Sequence, residues 1–156
     1  MRVFLAMILA LGLVFGFGQL GLADDKPIEQ ELQRDQGTWQ FEALTIDGRP
    51  VAKGMLKDWR LIIKGNDWTF RQGEKTVLQG KYQIVAVEGK VRQTIVTVLE
   101  GNTEKHRLLG ITEVQGKMRK GCLAKPGQDR PTTFSSEPGS GQILIIYKRV
   151  SHRTKL

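Results

Sequence analysis

The chain of 156 residues carries 24 Lys and Arg against 16 Asp and Glu, a formal net charge of +8, with 40% hydrophobic residues and a single cysteine. That length and apolar content suffice for one packed domain. One cysteine excludes an intramolecular disulfide, so the domain must stand on its core even in an oxidising compartment.

Residues 1–23 read as a signal peptide, leaving 24–156 as one domain. Arg2 supplies a basic start, Val3 to Phe17 is an apolar run, and Gly21 and Ala23 are small residues at a cleavage-site spacing. An uncleaved anchor is the competing reading, because the run approaches the ~20 apolar residues that span a bilayer. No cysteine stands at the junction to make a lipoprotein.

Asp24 to Gln36 is the one good helix candidate. Asp24 and Asp25 suit its positive end, Pro27 suits the first turn, and Ile28 and Leu32 share a face. Gly37 ends it, and from there the period is two. Trp39, Phe41 and Ala43 alternate with Thr38, Gln40 and Glu42. Further segments of this kind follow around Trp59, Trp68, Tyr82, Ile95, Leu109, Met118 and Ile145, separated by turns such as Asp47-Gly48, Gly65-Asn66, Gln72-Gly73, Glu88-Gly89 and Gln115-Gly116. Turns every ~8–12 residues belong to an all-β sandwich or barrel. No interval holds a crossover helix, so neighbours must pair antiparallel. A meander of eight strands removes its edges by closing on itself. Val51 to Asp58 is less regular and is read as a short helix over the barrel mouth; Pro126 to Gly141 is a long polar loop.

Several stretches together resemble the small lipocalin-like domain of uncharacterised secreted planctomycete proteins. They are Gln36-Gly37-Thr38-Trp39, Asp47-Gly48 before Pro50, Gly80-Lys81-Tyr82, Leu109-Gly110-Ile111, Cys122-Leu123-Ala124, Arg130-Pro131-Thr132-Thr133-Phe134-Ser135-Ser136 and Pro138-Gly139-Ser140-Gly141. The chain departs from the pattern at Thr112, where an aromatic is expected. The resemblance implies an antiparallel, up-and-down lipocalin-like β-barrel of about eight strands and a cell-envelope or extracellular location, periplasmic or secreted. It implies no activity. It also implies that Gly37 and Trp39 open the first strand at the closed end, with an Arg from the last strand stacked on the Trp. Arg149 is the best positional match, and Lys148 is the alternative of opposite parity.

Enzymatic constellations are scarce. His106 and His152 are read as a solvated loop residue and a tail residue, since neither has a partner at metal-ligand spacing. Ser140 lies in Gly-Ser-Gly without the strand–helix elbow of a hydrolase. Glu100 and Glu104 flank a hairpin turn with nothing to desolvate either. Cys122 alternates with apolar neighbours and reads as a buried structural thiol. No catalytic residue, metal or cofactor is expected.

The basic residues Lys117, Arg119, Lys120 and Lys125 on one hairpin, and Lys148, Arg149, Arg153 and Lys155 at the C-terminus, read first as solvated faces. Their sharper reading is attraction to an anionic envelope polymer; nucleic acid is not an expected partner of an exported protein. Trp59, Trp68, Phe70 and Tyr82 either line a cavity or fill the interior. The first alternative makes the protein a non-enzymatic carrier of a small apolar or amphipathic ligand. The second makes it a solid interaction module for envelope polymers or a protein partner.

Overall fold

The computed structural model describes residues 25–151. The signal-peptide reading of 1–23, Asp24, and the tail residues His152, Arg153 and Lys155 lie outside the described residues. Helix α1 (Asp25–Asp35) leads into nine strands: β1 (Gly37–Ile46), β2 (Arg49–Pro50), β3 (Trp59–Lys64), β4 (Asp67–Gln72), β5 (Lys75–Glu88), β6 (Val91–Glu100), β7 (Thr103–Gln115), β8 (Met118–Leu123) and β9 (Ile143–Arg149). β2 is a two-residue return on β1. The other eight are antiparallel neighbours in chain order, and β9 pairs with β1. These eight strands therefore close into an up-and-down barrel. Among the described residues, no helix is long and apolar enough to cross a membrane.

The meander sorts the ends of the strands into two rims. One rim holds the starts of β1, β4, β6 and β8 and the ends of β3, β5, β7 and β9. Helix α1 closes this rim, its Ile28 and Leu32 packed on the core. The opposite rim is the mouth, beside which a single 3-10 turn (Lys53–Leu56) sits under a hydrogen bond from Gln40 Nε2 to the Leu56 carbonyl.

Side-chain alternation holds within each strand and breaks at bulges. On β1 the register shifts between Phe41 and Ala43. The bulge turns Ala43 outward and buries Leu44 instead, correcting the strict alternation read through Ala43. A second shift between Ile84 and Ala86 has the same effect on β5, so that Val87, not Ala86, packs on the core. Gly110 is buried but leaves no room, because Leu123 and the Cys122 carbonyl already occupy the space beside it.

Gly80 answers a different need. It lies opposite Trp68 across the β4–β5 ladder. A Cβ there would fall on the Thr97 carbonyl. With none present, the indole reaches over and its Nε1 donates to the carbonyls of Lys81 and Thr97, each at 3.1 Å.

The segment between β8 and β9 has no regular structure, yet it is pinned along its length. Arg130 Nη1 donates to the Thr94 and Gly110 carbonyls at 2.5 and 2.6 Å. Pro131 is buried. Ser136 Oγ accepts from the Gly48 amide at 3.0 Å and donates to the Gln142 carbonyl at 2.7 Å. The Gly141 amide donates to Asp47 Oδ1 at 2.7 Å. This strap covers Cys122, which is fully buried and whose thiol donates to the Ser135 carbonyl at 3.2 Å. Burial pushes that thiol above its usual value, the Ser135 backbone contact opposing.

Candidate functional site

Inward residues from every barrel strand enclose a cavity of about 720 Å³. Its walls include Phe41, Leu44, Leu61, Ile63, Val96, Val98, Leu108, Leu123, Ile143 and Ile145. Trp59, Trp68, Phe70 and Tyr82, the four aromatic residues singled out in the sequence, all line it. Trp59 and Phe70 pack edge-to-face at 5.1 Å between ring centroids, and Phe41 joins both. These rings stand against the wall and leave the centre open. At the mouth the lining continues into Ile46, Met55 and Leu78, which are 44%, 62% and 45% exposed. His106 also stands at this rim, exposed, on strand β7 and not on the loop expected for it.

Tyr82, Thr112, Arg119, Gly121 and Tyr147 line the cavity at its other end. Beneath them lies a buried charged network. The Asp35 carboxylate, fully buried at the end of α1, accepts from three donors: Arg119 Nε at 2.9 Å and Arg92 Nη2 at 3.1 Å, both on Oδ1, and the Tyr82 hydroxyl at 2.6 Å on Oδ2. Tyr82 also shares a hydrogen bond with Thr112 Oγ1 at 3.2 Å. Arg92 reaches Glu31 as well, through its carbonyl at 3.2 Å and its carboxylate at 3.6 Å. The Arg119 guanidinium lies 5.1 Å from the Tyr147 ring centre and 5.6 Å from that of Tyr82.

This burial sets the ionisation of the floor. Burial pushes Tyr82 up to about 12, with Asp35 adding to the shift and Arg119 and Arg92 opposing it. Burial likewise pushes Tyr147 up to about 12 against the pull of Arg119. Burial works against the Arg119 charge, but the adjacent Asp35 carboxylate outweighs it and holds the guanidinium more basic than usual.

Arg119 corrects the sequence reading most sharply. Read among the solvated basic residues of its hairpin, it is buried inside the barrel. Its neighbours in that group behave as expected: Lys117 and Lys125 are exposed, and Lys120 is half-buried beside Glu113 at 3.0 Å. Strand parity carries the signal that distinguishes it. Arg119, Gly121 and Leu123 share one face of β8 and all line the cavity. Arg92 follows the same rule, two and four residues before buried Thr94 and cavity-lining Val96. Asp35 had no comparable signal, because its burial depends on how α1 docks.

Gly37, Trp39 and Arg149 form a structural clasp outside the cavity. Gly37 takes φ of +113°, which lets the chain turn from helix into strand. Trp39 is fully buried, and its Nε1 donates to the Asp35 carbonyl at 2.8 Å. Arg149, and not Lys148, lies over the indole at 4.0 Å. Its guanidinium donates to the carbonyls of Gln36 at 2.6 Å and Arg34 at 2.5 Å, a cation placed where the helix dipole favours one.

The remaining candidates are local. Ser140 Oγ donates to the Glu137 carbonyl at 2.6 Å within a turn. Glu100 pairs with Lys105 at 2.6 Å, and Glu104 with Arg107 at 3.2 Å, all exposed.

The fold and site together define an antiparallel, eight-strand barrel with an apolar internal chamber. Comparison of the chain with protein-family models, curated proteins and solved structures found no match.

Proposed function

We propose that the protein is an exported, non-enzymatic binding protein that holds a small apolar or amphipathic molecule inside a lipocalin-like barrel. The cavity carries this reading. At about 720 Å³ it falls in the ~300–1,000 Å³ range of small-molecule sites, and its walls are aliphatic and aromatic side chains. The exposed apolar residues at the mouth offer a way in. The leader-like residues 1–23 support export, and the Gly37–Trp39–Arg149 clasp supports the lipocalin-like assignment. The alternative, a solid module docking its basic surface on envelope polymers or a protein partner, needs a filled interior, which the open chamber does not favour.

The test is to purify the protein from its own host, extract it with organic solvent and identify the released molecules by mass spectrometry. A stoichiometric apolar compound is the expected result. Empty protein that also ignores added apolar probes would overturn the proposal and favour the solid module.

A further inference from the structure

Deep in the apolar chamber, Arg119 is the one formally charged lining residue among the described residues, with no carboxylate of theirs beside it in the lining. Its side chain is 5% exposed. Nε is committed to Asp35, and Nη2 makes a long hydrogen bond of 3.4 Å to the Tyr82 hydroxyl. The Tyr147 hydroxyl also contacts this guanidinium, and no other acceptor reaches Nη1 among the described residues. The same Asp35 Oδ1 also accepts from Arg92, whose second carboxylate partner is Glu31 at 3.6 Å. A guanidinium N–H that faces an apolar chamber is free to take a charged acceptor from a ligand.

Space for an acceptor exists beside Nη1. Gly121 presents no side chain there, and a Cβ built on it would come to 3.5 Å from Nη1. Tyr147 and Thr112 border the same corner of the chamber. From this corner the chamber runs along β7 to His106 at the mouth, six residues from Thr112 and so ~20 Å of strand, or ~15 Å of depth for a barrel strand tilted ~40°. That depth suits an extended chain of about twelve carbons at C–C bonds of ~1.5 Å.

Resting on the binding function proposed above, we infer that the ligand is an aliphatic monocarboxylate, its carboxylate bound to Arg119 Nη1 beside Gly121 and its chain directed toward Met55 and Leu78 at the mouth. A carboxylate is favoured over a neutral polar head because its hydrogen bond from a guanidinium is charge-assisted and so about twice as strong. An ammonium head is disfavoured because it has only donors to set against the Arg119 guanidinium.

Calorimetric titration of the full chain with dodecanoate, dodecanol and dodecylamine tests the inference with one chain length and three heads. Dodecanoate should bind ~10-fold tighter than dodecanol, one charge-assisted contact's worth, and dodecylamine weakest. In Arg119→Gln the ratio of carboxylate to alcohol affinity should collapse toward one. Gly121→Ala adds a methyl at ordinary contact distance and should lower the same ratio, keeping the test decisive if Arg119→Gln does not fold. Equal affinity for acid and alcohol in the unaltered chain would overturn the carboxylate while leaving the apolar-ligand reading intact. Failure of all three probes to bind would overturn both.

Discussion

At the closed end, Trp39, Asp35, Arg92 and Thr112 are buried to within 1% of full exclusion, and each is held by named partners. At the mouth, Ile46, Met55 and Leu78 present 44–62% of their surface to solvent. The ordinary arrangement, apolar within and polar without, is locally inverted: the polar network is sealed under α1 while apolar residues stand at the opening. Removing one partner from a sealed network leaves others without compensation. Removing a half-exposed apolar residue forfeits little buried area. Stability should therefore be concentrated at the closed end and ligand entry at the mouth.

The sharpest way to break this contrast is Asp35→Ala, which leaves Arg92, Arg119 and Tyr82 without their common acceptor. Loss of a buried ionic partner should cost ~3–5 kcal/mol, read as a lower urea midpoint at unchanged slope. Trp39→Ala should cost an amount of the same order, ~3–5 kcal/mol, the range for a buried large aromatic. An unchanged midpoint in either variant would mean that the closed end does not hold the fold together.

Alkaline pH probes the same end without mutation. Tyr82 and Tyr147 are the only tyrosines of the chain, and both are pushed up to about 12 from an ordinary 10.0. A hydroxyl raised in the folded state keeps its full contribution below pH 10. It loses that contribution as pH climbs from 10 toward 12, where the unfolded chain ionises and the folded one does not. The loss should be on the order of 2 kcal/mol per tyrosine. Tyrosinate absorbance should thus stay flat near pH 10 and rise together with unfolding nearer 12. A full tyrosinate signal at pH 10 with native circular dichroism would place both hydroxyls in water.

The mouth should be indifferent. Met55→Ser or Leu78→Ser should shift stability by no more than ~0.5 kcal/mol, the usual scale for surface positions, while changing the rate at which an apolar probe enters. Stopped-flow binding paired with a urea melt separates the two effects.

The difference between the ends also explains what could be read from the chain beforehand. Strand number, order and closure follow from turn chemistry and period-two patterning, which are local. So does the helix through Ile28 and Leu32, although its burial of Asp35 is not. The bulges after Phe41 and Ile84 shift parity by one residue without any mark in the residue types, and so strict alternation puts Ala43 on the wrong face. Arg119, flanked by Met118 and Lys120, has the composition of a charged surface; only its parity with Gly121 and Leu123 says otherwise. Trp59, Trp68, Phe70 and Tyr82 were identifiable as interior residues. Whether they fill the barrel or line it depends on where the small side chains fall: Gly121 leaves space while Gly110 does not. That is a property of packing, not of pattern.

The chamber between mouth and floor should admit an apolar molecule. Trp59 and Trp68 line that chamber, whereas Trp39 does not. Titration of the full chain with dodecanol, followed by tryptophan emission, therefore tests it most directly. A saturable change with a 1:1 endpoint that shrinks in Trp59→Phe or Trp68→Phe is the expected result. Emission that stays flat across dodecanol and chemically diverse apolar probes would contradict it.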